Sequence, residues 1–282
     1  MRIATAEDFK LKNGGELEIF FIGTGSAFAA TMNQTNFLIV KGDTHIMVDF
    51  GMTAPRALLE TARLKPTDIE VFLPTHSHAD HVGGLECLAL MNRYVGMPFL
   101  KKPKLKVIIT DEYQRILWDY TLRGGLEWNE ETPKTGTKLS FGDFFEVIKP
   151  QWLTFQPREV FRVQIGDIDL EIFRTKHIPE QAKNWEASFV SYGLLVDDRV
   201  FLSGDTRFDL ELIEMFQDRA EIMFHDVQFF PGAVHAFLRD LKGLPQDAKK
   251  KMYLMHYADN RAEQDISDFA GWAQQGIRYI FD

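Results

Sequence analysis

A single cysteine, Cys87, stands among 282 residues. No disulfide can form within the chain, which excludes a stapled secreted scaffold and suits a reducing cytosol. Cys87 falls on the apolar side of a predicted helix and is expected to be a buried core thiol. Long apolar runs are missing too: none approaches the ~18 residues of a membrane span. The first twelve residues alternate charged and small side chains, without the apolar centre of a signal peptide. The expectation is a cytoplasmic protein with no membrane partner. Positive charge is short, with 32 Lys and Arg against 41 Asp and Glu, a net −9. Grip on a nucleic-acid backbone wants clustered Lys and Arg, so nucleic acid is an unfavoured partner. A small phosphate held by metal ions is not excluded. At 45% hydrophobic and 26% charged, the make-up is that of an ordinary globular protein, one large domain or two small ones.

Against that background stands Pro74-Thr75-His76-Ser77-His78-Ala79-Asp80-His81-Val82-Gly83-Gly84. Four potential metal ligands fall here within six consecutive residues, and three of the eight histidines in the chain are among them. An apolar run, 69–73, precedes the stretch and reads as a buried strand. Leu85, Leu88 and Met91 follow at helical spacing. The ligands therefore sit on a strand-to-helix loop, a rigid place from which side chains can converge. Neutral imidazole is a common ligand of Zn²⁺, and a carboxylate adds charge to the site. His76 and His78 can point into one cavity, with Asp80 and His81 serving a second, adjacent ion.

The stretch resembles the HxHxDH signature of the metallo-β-lactamase-fold hydrolases. That resemblance implies a further His, a bridging Asp and a last His, in that order and each at a strand end. His177 after Phe173-Arg174-Thr175-Lys176, Asp205 after Phe201-Leu202-Ser203-Gly204, and His256 after Tyr253-Leu254-Met255 meet it. It implies an α/β fold, a four-layer αββα sandwich with two mixed sheets between helices, as one domain over 1–282. The repeated rhythm of strands and helices in the two halves suits such a doubled sandwich. By the resemblance, His76, His78 and His177 would hold one ion and Asp80, His81 and His256 the other, with Asp205 between them. Two divalent ions are implied, Zn²⁺ first and Mn²⁺ as the alternative. Oxygen-reducing di-iron members place Glu where His78 stands, which favours hydrolysis over redox chemistry.

Other segments refine this. Gly23-Thr24-Gly25-Ser26-Ala27 follows a first strand, 16–22, and fits neither a P-loop nor a dinucleotide fingerprint. It is expected to let backbone approach the metal cavity, and looks like the turn of the ribonuclease Z and phosphodiesterase branches. Asn33 and Asn36 lie in the polar stretch after it. Asp49, at the end of strand 45–49, needs a partner if buried and is expected, with Thr75, to support the metal loop. A loop-rich insertion is expected around 123–152, where glycines and Pro133 cluster. Trp118, Trp128 and Trp152 are read as core or interface ahead of base-stacking platforms. A helix beginning near Asp209, which Asp205 or Thr206 could cap, a helix near 233–235 and a helix over 262–274 are also expected.

His225-Asp226-Val227-Gln228 and His235 resemble, in altered form, the two late motifs of ribonuclease Z-like enzymes. His225, Asp226 and His235 are therefore catalytic candidates, His235 as proton donor and Asp226 orienting it. Asp80 could hold the proton of the nucleophile as well as its metal. The chemistry implied is in-line attack on a phosphodiester by a hydroxide bridging two ions. A small phosphodiester such as a cyclic nucleotide is the preferred substrate, because no basic Gly/Pro arm for tRNA is present. The alternatives are a thioester or lactone hydrolase, a tRNA 3′-processing endonuclease, and a nucleotide-binding scaffold without turnover. A homodimer is a possibility that relatives suggest by analogy.

Overall fold

A computed structural model describes residues 1–131, 136–232 and 234–282. The first sheet takes β1 (Arg2–Thr5), β2 (Leu17–Gly23), β3 (Asn36–Lys41), β4 (Thr44–Val48), β5 (Val71–Leu73), β6 (Leu105–Ile108), β7 (Phe145–Ile148) and β16 (Ile277–Phe281). The second takes β8 (Gln151–Thr154), β9 (Val160–Ile165), β10 (Ile168–Arg174), β11 (Tyr192–Val196), β12 (Val200–Leu202), β13 (Ile222–Asp226), β14 (Met252–Met255) and β15 (Gly271–Trp272). Their spatial orders are β1-β16-β2-β3-β4-β5-β6-β7 and β15-β14-β13-β12-β11-β10-β9-β8.

The run from β2 to β7 pairs antiparallel twice and then parallel three times. The run from β10 to β15 does the same. Parallel neighbours end on the same side, so in each half the ends of several strands open at one edge.

Burial explains the layering. β2 is buried along its whole length, which requires cover on both faces. Its Phe21 meets Phe224 of β13 with ring centroids 5.0 Å apart, so the sheets pack face to face. The helix Ala54–Ala62 buries Ala54, Ala57, Leu58 and Ala62, one stripe, in the same core as the first sheet. Outside the second sheet, the helix Leu210–Gln217 buries Leu212, Ile213 and Phe216, and Phe216 stacks on Phe173 at 4.5 Å. The result is the expected α/β sandwich, helix–sheet–sheet–helix.

Several local expectations need correction. Cys87 is exposed, because the helix Leu85–Met91 turns Leu85, Leu88 and Ala89 inward and leaves 86 and 87 facing out. No helix spans 262–274. A short helical turn, Asp259–Glu263, is followed by a bend and by β15, where Gly271 has φ +143°, unsuited to a helix. Ala270 donates to Met252 O at 3.0 Å and Ala273 to Leu254 O at 2.9 Å, which fixes this segment beside β14. The helix expected near 233–235 begins at Leu238, and Ala233 lies outside the described residues.

The stretch 123–152 carries the helical turns Arg123–Leu126 and Phe141–Phe144 and the strands β7 and β8; its Pro133 falls outside the described residues. Trp118 packs against the core beside Phe141, whereas Trp128 and Trp152 are exposed. Among the described residues no helix is long and apolar enough to cross a membrane.

Gly204, two residues past β12, has φ +59°, and a Cβ there would lie 2.2 Å from Tyr192 O. Gly124 has open space around it and no such φ. Gly204→Ala is therefore expected to cost at least about 2 kcal/mol, from left-handed strain plus a backbone clash. Gly124→Ala is expected to be neutral or slightly stabilising. Thermal unfolding of the two variants checks this, and equal melting temperatures would refute the assignment of strain to Gly204.

Candidate metal centre

The edge where the strands open gathers the candidate ligands. β5 leads into Pro74, Thr75 and His76, and a short helical turn, Ala79–Val82, carries Asp80 and His81. Asp49 follows β4, His177 follows β10, Asp205 follows β12, Asp226 ends β13 and His256 follows β14. Asp49 (φ 60°), Gly204 (φ 59°) and His256 (φ 58°) are left-handed, so the chain turns sharply off three of these strands. Asp205 does not cap a helix: the cap of Leu210–Gln217 is Asp209.

Asp49 fixes the metal loop. Its Oδ1 accepts the Thr75 N–H at 2.7 Å, and its Oδ2 accepts the Thr75 hydroxyl at 2.7 Å and His81 Nδ1–H at 2.7 Å. His81 Nδ1 is thereby engaged, and its Nε2 is the nitrogen that faces the centre. Thr75 Oγ1 in turn lies 3.1 Å from His76 Nδ1. Asn36 clamps the same loop from β3, donating to Asp80 O at 3.1 Å and accepting from Gly51 N at 2.5 Å. On the opposite wall, His177 Nδ1 donates to Val234 O at 2.9 Å, which leaves its Nε2 for the centre. Thr175 donates to Asp205 O at 2.8 Å.

Two sets of donor atoms result, and they share one oxygen. His76 Nε2 and His177 Nε2 each lie 3.0 Å from His78 Nδ1, and 3.7 and 3.8 Å from Asp205 Oδ2. In the second set, Asp80 Oδ2 is 3.2 Å from His81 Nε2 and 3.1 Å from His256 Nε2. Asp205 Oδ2 lies 3.2 and 3.4 Å from the same two nitrogens. Asp205 Oδ2 and His81 Nε2 are buried and have no hydrogen-bond partner, a state that buried polar atoms rarely keep.

A divalent cation in each set would satisfy these atoms. Three imidazoles and a carboxylate, or two of each, are donor sets that Zn²⁺ and its neighbours accept. Burial holds His76 and His78 below the usual imidazole range and lowers His177 to about 4, so their lone pairs are free of protons. Burial pushes the Asp80 and Asp205 carboxyls up, but the facing histidines outweigh it and hold both low. The same carboxylates raise His81 and His256 against burial, so a cation entering the second set displaces protons.

His235 and Asp226 border both sets. Asp226 Oδ2 lies 2.8 Å from His235 Nδ1, and its Oδ1 lies 3.5 Å from His256 Nδ1. Asp226 is itself fixed by Thr206 N–H at 3.0 Å and by its own N–H on Ser203 Oγ at 2.9 Å. Of the catalytic candidates, the structure brings Asp80, Asp226 and His235 together and leaves His225 out. Neighbouring side chains on a strand point to opposite faces. His225 therefore faces the outer helical layer, with its ring 6.3 Å from Phe201 and Nδ1 on Asp226 O.

The glycine-rich turn also differs from expectation. A Cβ at Gly23 would lie 2.1 Å from Gln34 O, so its close approach is to neighbouring backbone. Ser26 N–H donates to Tyr257 O at 3.0 Å, which makes the turn a brace for the His256 corner. The supporting roles of Ser203, Thr206 and Thr175 are not legible in the sequence, where Thr206 reads only as a possible helix cap. Their one signal there is a hydroxyl within two residues of a ligand, as Thr75 is beside His76.

Asp49→Ala is expected to lower metal affinity about 10- to 100-fold and stability by about 1–3 kcal/mol, since Thr75 N–H and His81 Nδ1–H lose their acceptor. Competition with a chromogenic chelator, alongside denaturant unfolding, measures both. Unchanged affinity in a folded variant would rule out a supporting role for Asp49.

A family model described as "Anti-Pycsar protein Apyc1" matches residues 17–279. An anti-Pycsar protein Apyc1 from Paenibacillus harenae is 36% identical over 245 residues, 86% of this chain and 90% of that protein. One from Bacillus phage BSP38 is 33% identical over 273 residues, 93% and 98% of the two chains. Among solved structures, the metallo-β-lactamase fold protein YhfI from Bacillus subtilis superposes with a TM-score of 0.67. It covers 94% of this chain and 99% of its own at 15% identity, a likeness of fold. The family match runs through both sheets and spans every residue of the centre, and the chain belongs to the anti-Pycsar protein Apyc1 family.

Proposed function

We propose that this metal-dependent hydrolase is a dinuclear phosphodiesterase that opens the phosphodiester ring of a cyclic nucleotide. The observation that carries the reading is Asp205 Oδ2, one unpartnered buried oxygen within 4 Å of imidazole nitrogens from both donor sets. His76, His78 and His177 would hold one ion and Asp80, His81 and His256 the other, with Asp205 shared. Bound there, two divalent cations neutralise phosphate charge and make water a nucleophile at neutral pH. Zn²⁺ is the preferred ion and Mn²⁺ the alternative.

The remaining steps belong to the chain. Ligands are 3% exposed or less, apart from the half-buried His78, so the centre excludes most bulk water. Asp80 is placed to hold the proton of the nucleophile. His235 stands at the rim with its ring fixed by Asp226. Burial opposes its charge, but the Asp226 carboxylate outweighs this and raises its pKa from the ordinary value. That carboxylate favours the protonated ring, the form that can give a proton to a leaving oxygen. One bond forms, from water oxygen to phosphorus. One bond breaks, from phosphorus to a sugar oxygen, which takes the His235 proton and leaves a nucleoside monophosphate. The acidic overall charge suits a small anion drawn to bound cations better than a polymer gripped along its backbone.

Hydrolysis of a 3′,5′-cyclic mononucleotide by Zn²⁺- or Mn²⁺-loaded protein tests the reading. Chelation is expected to abolish turnover and added metal to restore it. Asp205→Ala is expected to reduce turnover by more than the roughly 100-fold typical of losing an outer partner. Turnover that survives Asp205→Ala would sink the dinuclear reading. His235→Ala is expected to slow cyclic-nucleotide hydrolysis about 10²- to 10⁴-fold and p-nitrophenyl diester hydrolysis far less, because a phenolate departs without a proton. Equal losses on both substrates would remove His235 from the role of acid.

A further inference from the structure

Away from the donor atoms, the chain buries one full positive charge. Arg158, two residues before β9, is 0% exposed. Its Nη1 donates to Arg174 O at 2.7 Å and its Nη2 to Asp209 Oδ2 at 2.5 Å. Glu211 Oε1 lies 3.3 Å from the same Nη2, and Nε finds no acceptor. A buried ion pair adds little net stability over apolar packing, and an unsatisfied donor costs more. Stability is therefore a poor reason to place arginine here. What a guanidinium adds is direction, because its planar fork fixes two acceptors at once.

Those two acceptors sit beneath two ligand corners. Arg174 ends β10, three residues before His177. Asp209 stands four residues past Asp205 and caps the helix Leu210–Gln217, accepting Leu212 N–H at 3.4 Å. Its Oδ1 also accepts from Lys176 Nζ at 3.0 Å, which ties one corner to the other. Backbone bonds follow the same seam: Arg207 N–H donates to Lys176 O at 2.7 Å, and Lys176 N–H to Thr206 Oγ1 at 3.3 Å. Arg158, Asp209 and Lys176 thus lock segment 174–177 against segment 205–209. Val234 O fixes the ring of His177, but the backbone that carries the ring is placed by this lock and by the bonds of Thr175. His81, Asp80 and His256 have supports of their own in Asp49, Asn36 and Asp226, from β4, β3 and β13.

We propose that Arg158 is a positioning residue of the metal centre. It sets the place of His177, and so completes the set His76, His78 and His177, while the set Asp80, His81 and His256 is placed without it. The inference rests on the two-ion reading above.

Cobalt(II), whose visible spectrum reports its ligands, is the probe for the full-length chain stripped of metal. Calorimetric titration of the parent is expected to show two ions bound. Arg158→Lys keeps the charge, but a single ammonium cannot serve both acceptors. It is expected to weaken one of the two ions about tenfold, to alter the visible bands of that ion, and to leave the other unchanged. His177→Ala identifies the ion concerned. In that background Arg158→Lys is expected to have no further effect, because the two changes act on one interaction. Should Arg158→Lys fail to fold, Lys176→Gln decides in its place. That side chain is partly exposed, and its loss is expected to weaken the same ion by less.

A folded Arg158→Lys with a lower melting temperature and parental affinity for both ions would reduce Arg158 to a structural pair and overturn the proposal. Equal weakening of both ions, or full additivity with His177→Ala, would overturn it as well. Where Lys176→Gln is the deciding variant, parental affinity for both ions does the same. Parent protein that binds a single Co²⁺ would instead remove the two-ion reading, and this inference with it.

Discussion

The structure is organised around one oxygen. Asp205 Oδ2 lies buried with no hydrogen-bond partner, facing nitrogens of His76, His81, His177 and His256. An isolated carboxylate in such a place costs several kcal/mol. Cations held between it and the imidazoles would turn that cost into binding energy. The consequences reach well beyond the donor atoms. Asp49 must fix His81, Asn36 must hold the Asp80 peptide, and Thr175 must hold the Asp205 peptide. Each is a buried polar residue, and each sets the direction of a candidate ligand.

The doubled topology makes this convergence economical. β4 and β12 hold corresponding places in their sheets, and each delivers an aspartate just past its end, Asp49 in one half and Asp205 in the other. β5 and β13 also correspond; one feeds the histidine loop and the other ends in Asp226. The two halves are thus alike in backbone and unlike in duty. Asp49 braces a ligand where Asp205 stands among the donors. β2 leads to a glycine turn that braces the His256 corner, whereas its counterpart β10 leads to His177.

How far the sequence can be read follows from how local each signal is. His76 to His81 are adjacent in the chain, and a strand and a helix flank them, so loop and ligand types are legible together. His177, Asp205 and His256 are far apart, and only their order after short apolar runs identifies them. Asp226 and His235 are recognisable as a pair, but their 2.8 Å contact depends on a connection around 228–237 that has no periodic signal. His225 carries the residue type of a catalytic group, but strand alternation turns it away when Asp226 points in. Helix phase leaves Cys87 outside the core, and in 262–274 Gly271 carries a conformation no helix accepts. β1 and β8 are largely exposed, so neither has the buried pattern by which a strand is read. Arg158, Asp209 and Lys176 meet from three separate segments, and no window of sequence contains them.

Asp49 and His256 both occupy left-handed backbone, a region that Asn, Asp and His enter far more readily than other side chains. At these corners the residue types that suit the chemistry are also among the few that suit the bend. Geometry and function therefore constrain one another there. Sequence drift that kept the turn would draw on a short list already rich in metal-friendly groups. The corner is thus biased toward keeping its chemistry, even where selection acted on shape alone.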